Sequence, residues 1–156
     1  MRSFVLVNRR ADLDGAETTG LLVRRLEERA PVVVVGVAEL GLEPDGRVRA
    51  GAEVLGPGDR VLVRTNPARD TGGAQHLALE LLAIAQGQGV VVMNDPATLA
   101  RATTKLYLCG LPEHLRPYTL VSQDRRRLKD FVESRPRSVL KPLSGTRGQD
   151  VFLVQP

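Results

Sequence analysis

The sequence predicts an α/β protein: an open, mostly parallel sheet carrying helices, followed by the beginning of a second module. Three observations predict it. Segments with strand and helix patterning alternate from Phe4 to Met93, the order that gives a parallel sheet with crossover helices. Val32–Val37 and Val90–Met93 are apolar throughout rather than alternating, as in strands covered on both faces. Aromatic residues are only 3% of the 156 residues and Trp is absent, so the core must be built from Val, Leu and Ala.

Each element has its own justification. Phe4–Val7 is a short apolar strand, ended by the polar stretch Asn8–Asp14. Gly15–Glu28 places Leu21, Leu22 and Leu26 at helical spacing. Pro31 breaks that helix before the Val32–Val37 strand. Pro44-Asp45-Gly46 is turn chemistry, and Arg47–Ala50 after it suggests a small hairpin. Arg60–Arg64 is the next strand, closed by Asn66-Pro67. Ala74–Ala85 is an amphipathic helix ending at Gly87 and Gly89, and Val90–Met93 is a further strand. Asp95 and Pro96 are a helix start, with Asp95 as N-cap, and the helix is expected to carry Leu99 through Leu108.

From about residue 101 the rhythm changes, which divides the chain into a domain over 1–100 and a second module over 101–156. Leu111–Tyr118 reads as a Pro-containing connection and Thr119–Val121 as a short strand. A basic helix capped by Ser122 or Asp124 runs to about Glu133. Ser138–Leu140 and Val151–Val154 close the chain as an antiparallel hairpin around a glycine-containing loop.

Composition excludes several classes. With 42% apolar and 26% charged residues the chain is globular rather than disordered. Cys109 is the only cysteine, so no internal disulfide forms, and it is expected to be a small buried hydrophobe. No apolar run is long enough to span a bilayer, and no signal-peptide pattern follows Met1. A soluble, cytoplasmic protein with no membrane partner is the expectation. His76 and His114 stand far apart with no ligand spacing around them, so no metal site is expected on them. The net charge of +4 is concentrated: seven basic residues against three acids between Gln123 and Lys141 account for all of it. That excess suits either an anionic ligand or a solvated helix face. Nucleic acid is not an expected partner, because stacking platforms and recognised motifs are missing.

Four features carry possible chemistry. Gly145-Thr146-Arg147-Gly148 between two strands supplies amides and donors that suit a phosphate, or is simply a hairpin turn. Lys141, flanked by Val139-Leu140 and Pro142-Leu143, needs an anion if buried, or is an edge lysine pointing outward. Lys105 beside Leu106 and Tyr107 reads by itself as a solvated helix lysine. Arg64 stands at the C-terminal end of a parallel strand, where open α/β sheets bind ligands. There Arg64 suits a carboxylate, and Asn66 and Asp70 suit polar groups of a ligand; a polar turn closing a strand is the plain alternative.

Taken in order, "VLVRTNPARD" (61–70), "GVVVMNDPATLARATTKLYL" (89–108), "PYTLVS" (117–122) and "SVLKPLSGTRGQDVFLV" (138–154) resemble bacterial glutathione synthetase, an ATP-grasp ligase, over its N-terminal half. The resemblance spans about residues 60–156; the first 60 match only in strand–helix–strand pattern. It implies a Rossmann-like pre-ATP-grasp domain followed by the start of an ATP-grasp domain. It implies that Lys105 and Lys141 grip the ATP phosphates, and that Ser144–Gln149, with Gly145, Thr146, Arg147 and Gly148, closes over the γ-phosphate. Arg64, Asn66 and Asp70 would then face a small peptide-like acid.

The implied reaction is ATP-dependent ligation of a γ-glutamylcysteine-like acid to a glycine-like amine through an acyl phosphate. No residue is assigned as catalytic. ATP and Mg²⁺ are the expected cofactors of the complete protein, with the Mg²⁺ ligands absent from this chain. The expected partner is the missing C-terminal ATP-grasp half, from the same gene or a separate chain, without which no ligation is expected. A homo-oligomer is compatible with this reading. Ser144 and Arg147-Gly148 depart from the family's acid and glycine pair, and Thr65-Asn66 from its Lys-Asp, which leaves the substrates open. The alternative is a non-catalytic small-ligand-binding module that keeps the pre-ATP-grasp fold.

Overall fold

A computed structural model describes residues 1–13, 17–66, 72–102, 104–144 and 148–155. The chain divides into two compact units, Met1–Arg101 and Ala102–Pro156.

The first unit is built on parallel strands β1 (Ser3–Val7), β2 (Val32–Gly36), β6 (Arg60–Val63) and β7 (Val91–Met93), in the order β2-β1-β6-β7. All their pairings are parallel, so the α/β expectation holds. Helix α1 (Glu17–Glu27) links β1 to β2, and α2 (Ala74–Gly87) lies between β6 and β7. β1 is central, so its alternating side chains enter two cores. Phe4 and Leu6 join Leu79, Leu82 and Ala85 of α2, while Val5 and Val7 join Val23 of α1. Each fully buried leucine contributes about 2 kcal/mol from the removal of apolar surface from water. β2 was expected to be covered on both faces. Its Val32, Val33 and Val34 are only half-buried, because β2 is an edge strand.

The hairpin expected after Pro44 is a three-stranded antiparallel sheet of β3 (Leu40–Leu42), β4 (Val48–Ala50) and β5 (Glu53–Val54). Its turn places Gly46 at φ +82°, open to glycine but strained for other residues. α2 also packs against β3 and β4. Asp59, just before β6, is 3% exposed. Its carboxylate accepts hydrogen bonds from the Arg2 backbone at 2.8 Å, the Arg2 guanidinium at 2.5 Å and Gly56 N–H at 3.1 Å.

Helix α3 (Pro96–Arg101) starts as expected, with Thr98 N–H donating to Asp95 Oδ1 at 2.8 Å. It does not continue to Leu108. A separate 3-10 segment covers Lys105–Gly110, and Thr104 caps it by accepting from Leu106 N–H. A Thr side chain that bonds its neighbouring backbone competes with helix continuation.

The second unit continues with a 3-10 turn at Glu113–Leu115, α4 (Arg125–Glu133), and the antiparallel pair β8 (Ser138–Leu140) and β9 (Phe152–Val154). Asp124 is the N-cap of α4, accepting from Arg126 N–H at 2.9 Å. Thr119–Val121 pairs with no strand among the described residues, which corrects the expected strand. None of the second unit's described residues is buried.

Candidate functional site

Two places emerge, one in each unit. The first lies where strands β1, β2 and β6 end. Arg64 follows β6 and continues its ladder, donating its N–H to Leu6 O at 2.8 Å. Two residues later Asn66 N–H donates to the side-chain Oδ1 of Asn8 at 2.6 Å, and Val37 N–H donates to Asn8 O at 3.3 Å. Asn8, directly after β1, therefore ties the ends of β2 and β6 to its own strand. At β2, the Glu39 carboxylate accepts Gly36 N–H at 2.6 Å and pairs with Arg10 at 2.7 Å. The Arg10 hydrogen bond, helped by Gly36, holds the Glu39 carboxyl below its ordinary value. Arg64 is exposed and joins no ion pair among the described residues. Asp70 lies outside the described residues.

Sequence reasoning placed Arg64 and Asn66 here and missed Asn8. The available signal was a polar side chain immediately after the first strand, on the edge already chosen for Arg64. Asn8 is 7% exposed, and its Nδ2 is buried with no hydrogen-bond partner among the described residues.

The second place lies within Ala102–Pro156. Lys105 opens the 3-10 segment, and two hydrogen bonds join it to the stretch after β8. Its backbone N–H donates to Leu143 O at 3.0 Å, and its Nζ donates to Pro142 O at 3.0 Å. Lys105 is thereby set beside the chain that carries Lys141, although the two lysines are 36 positions apart in sequence. Both lysines line one cavity of about 630 Å³. Arg116, Arg135 and Arg137 also line it, and its apolar surface includes Leu108, Leu128, Val139 and Leu140.

Lys141 takes the exposed alternative of its two readings. It stands one residue beyond β8 and is exposed, and Val139 and Leu140 before it are 59% and 44% exposed. The described residues leave these side chains of the two-stranded β8–β9 sheet largely exposed, so burial does not force an anion onto Lys141. Ser144 and Gln149 are exposed, and Gly148 adopts φ +74°, a conformation suited to glycine. Gly145, Thr146 and Arg147 lie outside the described residues. Cys109, expected to be buried, is half-buried and lines the cavity.

Arg135 was also missed. Its guanidinium lies 4.1 Å from the Tyr118 ring centroid and 4.7 Å from that of Phe131. The two rings stack at 5.7 Å with 6° between their planes. Scarcity of aromatics had argued only against platforms for stacking nucleic-acid bases. Phe131 lies in the last turn of α4, and Arg135 lies two residues beyond the helix, where its N–H donates to Val132 O at 3.1 Å.

Cations beside apolar side chains, in a volume typical of small-molecule sites (about 300–1,000 Å³), fit a nucleotide: a base on the apolar surface and phosphates among the cations. No group of three or more His, Cys, Asp and Glu that could hold a metal ion stands among the described residues. His76 makes an exposed contact with Glu80 at 3.3 Å, and His114 sits in the second 3-10 turn. No helix among the described residues is long and apolar enough to cross a membrane.

Residues 104–156 match the family of the prokaryotic glutathione synthetase ATP-grasp domain. The chain is 32% identical over 133 residues to a glutathione synthetase of Vibrio cholerae, covering 83% of this chain and 41% of that protein. It is 40% identical over 99 residues to one from Xanthomonas campestris pv. campestris, covering 64% and 30%. The chain thus spans less than half the length of these relatives. Its fold is similar to that of the ATP-grasp ligase PsnB, solved with minimal precursor, Mg and ADP. The TM-score is 0.58 at 15% identity, covering 97% of this chain and 57% of that one. The matched ATP-grasp segment, the relatives and the mostly parallel α/β fold together make this a prokaryotic glutathione synthetase-like ATP-grasp chain.

Proposed function

We propose that the chain forms part of an ATP-dependent carboxylate–amine ligase. Met1–Arg101 acts as the pre-ATP-grasp domain that receives the acid, and Ala102–Pro156 as part of the ATP-grasp domain. The observation that carries this reading is the joining of Lys105 to the Lys141 segment within the stretch that matches the ATP-grasp family. Bound ATP supplies the phosphoryl group that activates a carboxylate toward an amine, releasing ADP and phosphate. Lys105 and Lys141 bind the phosphates, with Lys105 held in place by the Pro142 and Leu143 carbonyls. The apolar surface of the cavity takes the base. Ser144–Gln149 covers the phosphates from the loop side.

At the sheet edge, Arg64 and Asn66 orient the acid, a γ-glutamylcysteine-like peptide, and Asp70 completes that contact. The amine is glycine-like. Mg²⁺ ligands come from a further segment or a separate chain, consistent with a chain spanning 41% of its Vibrio cholerae relative. By itself the chain binds substrates without turning them over, and it works in the cytoplasm.

The test is calorimetric titration of the chain with ATP, beside the Lys141→Ala variant. Loss of one charge-assisted contact to phosphate is expected to weaken binding about tenfold or more. Lys141 is exposed, so the melting temperature should stay unchanged. Equal ATP affinity in the two proteins would remove Lys141 from the site, and no ATP binding at all would remove the nucleotide reading.

A further inference from the structure

The buried amide of Asn8 has one end committed and one end open. A backbone N–H can only donate, so the atom that Asn66 N–H meets at 2.6 Å is the carbonyl Oδ1 of Asn8. This fixes the side chain and leaves the amide nitrogen as the other end. The residue is 7% exposed, and Nδ2 carries two N–H donors with no partner among the described residues. Buried donors are nearly always satisfied, and leaving one unmade is costly. The orphan donor stands at the C-terminal edge of a parallel sheet, the edge where such sheets take ligands. The neighbouring strand end carries Arg64, exposed and in no ion pair among the described residues.

We propose that Asn8 is a further substrate-binding residue, whose Nδ2 donates a hydrogen bond to a carboxylate oxygen of the acid substrate. This inference rests on the ligase reading for the acid-binding role of this edge, and adds a residue that the sequence motifs do not carry. Asparagine is suited to the task. It accepts from Asn66 with one atom and donates to the ligand with the other, without adding charge. An aspartate would keep the bond to Asn66 and set a negative charge against the ligand. Asn8 therefore couples the seating of Asn66 to recognition of the acid.

The experiment is a titration of the ¹⁵N-asparagine-labelled chain with γ-glutamylcysteine in reducing buffer. Only three asparagines, Asn8, Asn66 and Asn94, give side-chain amide pairs. The Asn8 pair is expected to shift and saturate with the probe, and Asn8→Asp to weaken binding about tenfold or more. If Asn8→Asp does not fold, the wild-type titration decides alone. Should the probe bind and Arg64→Ala weaken it while the Asn8 pair stays still, the proposal is overturned and the acid-binding edge stands. Should the probe not bind the chain, both are overturned.

Discussion

The two units handle apolar side chains in opposite ways. In Met1–Arg101, Phe4, Leu6, Leu79 and Leu82 are each no more than 2% exposed, and both faces of the sheet carry cores. In Ala102–Pro156, Tyr118, Val139, Phe152 and Leu153 are 77%, 59%, 56% and 59% exposed. The first unit closes on itself, whereas the second presents a cavity and apolar surface held by hydrogen bonds and one aromatic–arginine cluster. Apolar patches of this kind mark binding surfaces in soluble proteins. On the ligase reading proposed above, the first unit is the platform for the acid and the second the wall for the nucleotide.

The largest expected effect breaks this contrast at its strongest point. Leu82→Ala, at a site with no exposure in α2, should destabilise the first unit by about 3 kcal/mol. Leu153→Ala in β9 should change stability by no more than about 0.5 kcal/mol. Chemical denaturation measures both, and equal losses would mean that the second unit has a core of its own.

A smaller effect sharpens the account of the first unit. Burial works against the charge on Asp59, but the hydrogen bonds from Arg2 and Gly56 outweigh it and hold the carboxyl below its ordinary value. A lowered folded-state value stabilises the fold above the unfolded value of about 3.9. That contribution is lost as pH falls through the lower folded-state value. Asp59→Asn should cost about 2 kcal/mol at neutral pH, a difference that narrows in acid. Melting curves of both proteins from pH 7 to pH 3 test this, and a constant difference across that range would contradict it.

The same contrast governs what could be read in the sequence. β1 and β6 were legible because burial leaves apolar runs, and the Asp95 cap because its chemistry is local; β7 was legible from an apolar run although, at the sheet edge, its Val91 and Met93 are 55% and 62% exposed. β3 and β5 were hidden by their shortness, with only the Pro44-Asp45-Gly46 turn visible. In the second unit, the apolar spacing Leu99–Leu108 continued across a backbone that Thr104 redirects. Apolar Val139 and Leu140 implied a burial that the described residues do not provide. Lys105 by itself looks solvated and was assigned to phosphate only through resemblance to a family, whereas Lys141 was already singled out by its apolar neighbours. Asn8 and Arg135 escaped because their significance lies in partners distant along the chain or stacked at a helix end.

The most direct test of the division of labour is hydrogen exchange followed by mass spectrometry, with and without ATP. Peptides across residues 105–144 are expected to gain protection, and those from the first 60 residues to exchange unchanged. No change over 105–144, or protection confined to the Asn8 and Arg64 sheet edge, would contradict the assignment of the nucleotide to the second unit.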